Sequence, residues 1–189
     1  MKKFTPRFWL QRPLHWSLIF SLASALVACS SSDIPIGPTS LNSRYTEEQP
    51  TLSGNGRFLA FVSNRNGSHQ LLVYDLETQG FIRTPGLNRP ETIAESPSLS
   101  YTGRYIAYLT SDQGRPVVAL YDRATQQSQV ITPVYRGWVR NPGISPDGRY
   151  VVFETASRGQ WDVEVLDRGP NIELDIPNGA TVASPPSGP

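Results

Sequence analysis

The sequence predicts an all-β fold built from three four-stranded units, and three observations predict it. One phrase is written three times: SGNGRFLAF from Ser53, SYTGRYIAY from Ser100 and SPDGRYVVF from Ser145. Each copy pairs a cluster of turn formers with a run of aromatic and β-branched residues, the composition of a turn feeding a strand. The copies also keep one register. Pro50, Pro97 and Pro142 correspond, and the same intervals relate Gly56, Gly103 and Gly148, then Arg57, Arg104 and Arg149, then Asp75, Asp122 and Asp167. A repeat in register is read before any single residue. Finally, no long stretch beyond residue 28 carries helical periodicity, and 17 prolines and 15 glycines supply frequent turns.

The chain opens on a different kind of segment. Lys2, Lys3, Arg7 and Arg12 form a basic head without an acid, and an uncharged stretch follows from Pro13 to Ala28. A basic head before a short apolar run is the plan of a secretory signal over residues 1–28. A marginal membrane span is the competing reading, and the apolar run is short for one. Leu26, Val27 and Ala28 stand directly before Cys29, the only cysteine. This order resembles the lipobox of bacterial lipoproteins. The resemblance implies a lipid on Cys29, cleavage before it, and attachment to a bilayer through the acyl chains. Residues 29–48 then read as a polar tether broken by Pro35 and Pro38, and residues 177–189 as a disordered tail.

Loss of the signal removes both lysines. Thirteen arginines then face 16 acidic residues, a balance of −3. A mildly acidic chain without a basic run is a poor nucleic-acid binder. One cysteine allows no internal disulfide, so the fold rests on packing.

The units span about 49–88, 95–134 and 140–176. The first strand of each lies near its Pro-x-Leu/Ile-Ser phrase. The second is RFLAFV, RYIAYL or RYVVFE; the third QLLVYDL, PVVALYD or WDVEVLD; the fourth FIRT, SQVIT or NIELDI. The second strand is apolar at consecutive positions. A strand with one wet face alternates, so this one is expected to be covered on both faces, as in stacked sheets. Four strands in about 45 residues, stacked radially, make a β-propeller blade.

The pattern P-x-[LI]-S-x-x-G-R-[YF]-[ILV]-[AV]-[FY], then Gly, then an apolar strand ending in Asp, resembles the TolB-type WD-like propeller repeat from about Gln49 to Ile176. The third copy, with Ser145-Pro146-Asp147-Gly148-Arg149, matches best; the first two lack the Pro-Asp pair. The resemblance implies three blades, either a partial propeller or half of a six-bladed ring. It also implies a periplasmic binding module among partners of the Tol–Pal envelope system, with a role in envelope integrity or transport-associated assembly.

The repeated residues have structural readings. Gly56, Gly103 and Gly148 are expected at positive φ. Asp75, Asp122 and Asp167 are expected to accept amides of the following turn. Thr78 and Thr125 recur three positions after the aspartate, but Pro170 stands there in the third copy, so that turn should differ. The arginines are expected to tie neighbouring blades through carbonyls or carboxylates; a ligand role is the alternative.

The search for catalysis finds little. His15 lies in the signal and His69 follows Asn66-Gly67-Ser68 at a predicted hairpin loop. There is no Gly-x-Ser-x-Gly elbow, no zinc pattern and no calcium loop. No catalytic residue, metal or cofactor is assigned. Binding remains. Glu48, Gln49, Glu95, Ser96, Arg140 and Asn141 flank the repeated prolines and are candidates for an inner polar mouth. Tyr135, Arg136 and Trp138, in VYRGWVR, are residue types that anchor interfaces. Trp138 has a second reading, packing between blades. The chain thus reads as a non-enzymatic, lipid-anchored envelope binding protein. It would face the periplasm; by resemblance to lipoprotein sorting in two-membrane bacteria, the absence of Asp at Ser30, after the cysteine, favours the outer membrane. A hydrolase-associated propeller module and a glycan or peptide receptor are the alternatives. Three blades leave two faces uncovered, so a homodimer completing a ring is expected, against an open arc.

Overall fold

In a computed structural model of the chain, the described residues are 41–89, 92–133 and 137–176. They form three antiparallel sheets and no helix. Blade 1 holds β1 (Glu47–Leu52), β2 (Phe58–Ser63), β3 (Gln70–Asp75) and β4 (Gly80–Ile82) in sequential order. Blade 2 repeats the plan with β5 (Ala94–Leu99), β6 (Tyr105–Asp112), β7 (Arg115–Asp122) and β8 (Gln127–Val130). Blade 3 has three strands, β9 (Val139–Ile144), β10 (Tyr150–Thr155) and β11 (Asp162–Asp167). Strand β1 begins at Glu47, inside the segment read as tether.

The core lies between blades. Phe58, Ala60, Leu71 and Val73 of blade 1 meet Leu99, Ile106, Tyr108, Ala119 and Tyr121 of blade 2. Tyr105, Ala107, Val118 and Leu120 of blade 2 meet Val139, Val151 and Phe153 of blade 3. Each blade therefore has a forward face toward the next blade and a backward face toward the one before. This explains the unbroken apolarity of β6, which lies between blades 1 and 3; β2 faces blade 2 on one side, and on the other Arg65 lies over the rings of Phe61 and Phe81. The expectation fails for β10. Val151 and Phe153 are buried, but Tyr150 and Val152 are open, because no blade follows them among the described residues.

The fourth strand expected at NIELDI does not form. Gly169 takes φ 89° and Pro170 has no amide to offer Asp167, so the tight return of the first two blades is not made. Residues 171–176 instead run back toward blade 2 as a strap. The Asp175 carboxylate accepts from Ser100 Oγ (2.5 Å), Thr102 N (2.8 Å) and Thr102 Oγ1 (2.5 Å). The Asp175 amide donates to the Asp147 carbonyl at 2.8 Å, and Tyr105 Oη donates to the Glu173 carbonyl at 2.6 Å. One short segment thus ties the turns of two blades together.

The repeated turn is built as expected. Gly56, Gly103 and Gly148 have φ 73°, 69° and 78°. Asp147 Oδ1 accepts from Ser145 Oγ and the Arg149 amide, and Asn55 makes the same two bonds in blade 1, so the absence of the aspartate there costs the turn little. Asp75, Asp122 and Asp167 each accept an amide of the following turn. The arginines differ from expectation. Arg57 pairs with Asp75 (2.8 Å), Arg104 with Asp122 (3.2 Å) and Arg149 with Asp167 (2.9 Å), each inside its own blade. The reason is register: each arginine immediately precedes the first residue of the second strand, whose cross-strand partner is that aspartate. Only Arg104 also reaches outward, to Glu173 on the strap at 2.8 Å.

The residues that do bridge blades stand one position after the aspartate. Arg123 of blade 2 lies 4.0 Å from the ring of Phe58 in blade 1, and Arg168 of blade 3 lies 4.3 Å from the ring of Tyr105 in blade 2. Each also donates to the carbonyl of the turn glycine in its own blade, Gly103 or Gly148. A guanidinium on an aromatic face gains cation–π attraction while staying hydrogen-bonded.

Asp75 and Asp167 make one contact in two environments. Asp75 is 2% exposed and Asp167 43%. The hydrogen bond from Arg57 holds the Asp75 carboxyl below its ordinary value, against the effect of burial and with help from the Glu77 and Thr78 amides. A depressed carboxyl stabilises the fold above its unfolded value near 3.8 and loses that contribution as pH falls toward the folded value. Asp75→Ala should cost roughly 1–3 kcal/mol at neutral pH, mostly from the orphaned amides, since the exposed arginine is screened. Asp167→Ala should cost less. Thermal melts at pH 7 and pH 3 check both, and the gap between wild type and Asp75→Ala should narrow at pH 3.

Candidate functional site

The first strands of the blades are bent at one repeated point. Gln49, Ser96 and Asn141, each directly before its proline, have φ 54°, 50° and 51°. Pairing of the first strand with the second shifts register there in all three blades. A bulge of this kind turns side chains away from the ladder, and left-handed backbone is uncommon for such residues. The bulges also stitch the blades. Gln49 Oε1 accepts the Ser96 amide at 2.6 Å, and Ser98 Oγ accepts the Ile144 amide at 3.1 Å.

Glu48, Glu95 and Arg140 occupy one repeat position beside these bulges. His69, Pro116 and Trp161 occupy another, at the hairpin between second and third strands. The structure brings the two positions together. His69 Nδ1 lies 4.0 Å from Glu48 and 3.9 Å from Glu95, bridging blades 1 and 2. In blade 3 the Arg140 guanidinium lies 3.8 Å from the Trp161 ring and pairs with Glu154 at 2.7 Å, while Asn141 donates to the other Glu154 oxygen at 2.9 Å. These two bonds hold the Glu154 carboxyl below its ordinary range. The rim is thus acidic with one imidazole at blades 1 and 2, and a cation stacked on an indole at blade 3. Its side chains are half-buried to exposed and present donors, acceptors and an aromatic face.

His69, read from sequence as a solvated loop residue, is exposed but sits between two carboxylates. Glu154 and Trp161 were not among the sequence candidates. The repeat register carried a signal for Glu154, since Val62 and Leu109 stand at its position in the other blades. Trp138 is 67% exposed and is not packed between blades. Tyr135 and Arg136 lie outside the described residues, as does Cys29. Among the described residues no group of three or more His, Cys, Asp or Glu could hold a metal ion.

No protein-family model matches the chain, and no curated relative does. Solved structures do. TolB from Acinetobacter baumannii superposes with a TM-score of 0.54 and 21% identity, over 68% of this chain and 31% of that one. The fold is that of TolB-like propeller blades. A putative TolB from Agrobacterium tumefaciens gives a TM-score of 0.53 at 17% identity, over 68% of this chain and 45% of its own. A puromycin-hydrolyzing peptidase from Mycobacterium tuberculosis gives 0.51 at 16% identity, over 67% of this chain and 20% of its own. This chain therefore spans less than half the length of either TolB structure. The stacked TolB-like sheets agree with the repeat pattern and place its bulged first strands at the corresponding edge of every blade.

Proposed function

We propose that this chain is a lipid-anchored, non-enzymatic binding module of the bacterial cell envelope. It would be held to a membrane by Cys29 and face the periplasm, with its bulged first strands as the contact rim. The observation that carries the reading is the rim itself. Three strained bulges at one repeat position carry Glu48, Glu95 and Arg140 at the rim, and the Arg140 guanidinium lies over the Trp161 ring. Strain repeated at one edge of every blade fits a surface shaped for contact. The likeness to TolB supports a periplasmic propeller working through partners. The fold alone does not assign a function, and function is argued from the site. The likeness to a peptidase favours the second reading, a propeller module that serves a hydrolase.

Photo-crosslinking in intact cells tests the proposal. A photoreactive residue at Trp138 or Glu95 should capture an envelope protein, whereas one at Thr125, exposed in the turn after β7 at the other end of the strands, should not. Intact-mass analysis of the mature chain should show a lipidated Cys29 as its first residue. Equal capture from all three positions, or an unmodified Cys29, would contradict the reading. So would robust turnover of a peptide or glycan panel that is abolished by His69→Ala.

A further inference from the structure

We propose that the open forward face of blade 3 docks onto blade 1 of a second copy of this chain, and that two copies close head to tail. The argument is the register of the two inter-blade contacts already described. Blade 3 repeats the forward face of its neighbours. Tyr150, Val152, Val163 and Val165 stand where blade 1 has Phe58, Ala60, Leu71 and Val73, all four buried against blade 2. In blade 3 all four are exposed, Val163 to 72%. An apolar stripe of this kind on a protein surface marks an interaction site.

The same chain carries the complement. In the contact between blades 1 and 2, the ring of Phe58 sits beside Leu99 and beneath Arg123, and all three approach the position of a side chain at Gly103. The matching positions on blade 1 are Leu52 and Leu76. Both are exposed, Leu52 to 55%. One half of the clamp is therefore open on blade 3 and the other half on blade 1. The remainder of that backward face agrees in class: Leu59, Phe61, Leu72 and Tyr74 replace Ile106, Tyr108, Ala119 and Tyr121. Leucine in place of Arg123 makes the clamp purely apolar. Phe61, Leu72 and Tyr74 are already buried in the single chain, so a second copy exchanges one cover for another there. Association is thus concentration-dependent rather than permanent.

A head-to-tail contact forms a ring when its rotation closes and a filament when it does not. The three described blades of two copies make six, within the usual range of about four to eight for a closed ring. This inference does not depend on what the rim binds.

Crosslinking of the full chain in detergent tests it. Tyr150→Cys with Leu52→Cys should yield a single dimer band with a short bismaleimide. Each single variant and the wild type, which retains Cys29, should stay monomeric, and a mixture of the two singles should again give dimer. Sedimentation should show a monomer–dimer equilibrium. Val163→Asp, at an exposed site that leaves the monomer's core intact, should weaken it by roughly tenfold or more, and Val163→Ile should keep it. Monomer alone at every concentration, or sedimentation unchanged by Val163→Asp, would overturn docking. A ladder of higher species would overturn closure, and dimers of the Tyr150→Cys single variant alone would overturn the head-to-tail arrangement.

Discussion

Gly148→Ala is expected to destabilise the chain by about 3–5 kcal/mol, and Gly148→Val by more. Two costs add. The residue has φ 78°, where any side chain is strained. A Cβ there would also lie 2.8 Å from Cε2 of Tyr105 and closer still to Cδ2. Tyr105 cannot yield easily. It is buried, the Arg104 and Arg168 guanidiniums lie 5.0 and 4.3 Å from its ring, and its hydroxyl holds the strap at Glu173. The control is Gly159→Ala. Gly159 has φ 84° but nothing within 4 Å of an added Cβ, so only the backbone cost applies. At about 2–4 °C per kcal/mol for a chain of this size, the Gly148→Ala melt should fall by roughly 6–20 °C. Equal melting temperatures for the two variants would contradict the packing of blade 3 on blade 2.

Asp175→Ala should cost about 3 kcal/mol. The carboxylate is buried and satisfies two hydroxyls and one amide of blade 2, while its own amide reaches the turn of blade 3. Truncation leaves buried Ser100 and the Thr102 amide without this acceptor. Asp175→Asn should recover part of the loss, because an amide oxygen still accepts but cannot serve both hydroxyls as a carboxylate does. Tyr105→Phe removes one hydroxyl bond to the same strap and should cost about 1 kcal/mol. Urea titration of the four chains orders these effects. Asp175→Ala close to wild type would show that the strap contributes no stability.

The sequence by itself determined the blades. The period, the turn glycines, the aspartates that receive turn amides and the strand positions follow from local rules, because a turn and the strand it feeds are specified by residues close in the chain. The first-strand edge as a polar rim was legible in the same way, from the residues flanking Pro50, Pro97 and Pro142. The tertiary structure decided what depends on neighbours far along the chain. His69 meets Glu95 across a blade boundary, Arg123 rather than Arg104 stacks on the preceding blade, and Asp175 pulls the expected last strand into a strap. Each is a contact between residues many positions apart, where a single unit's pattern carries no information about what the next unit presents. The identical pattern in blade 3 produced an open face for the same reason: coverage belongs to the neighbour, not to the strand.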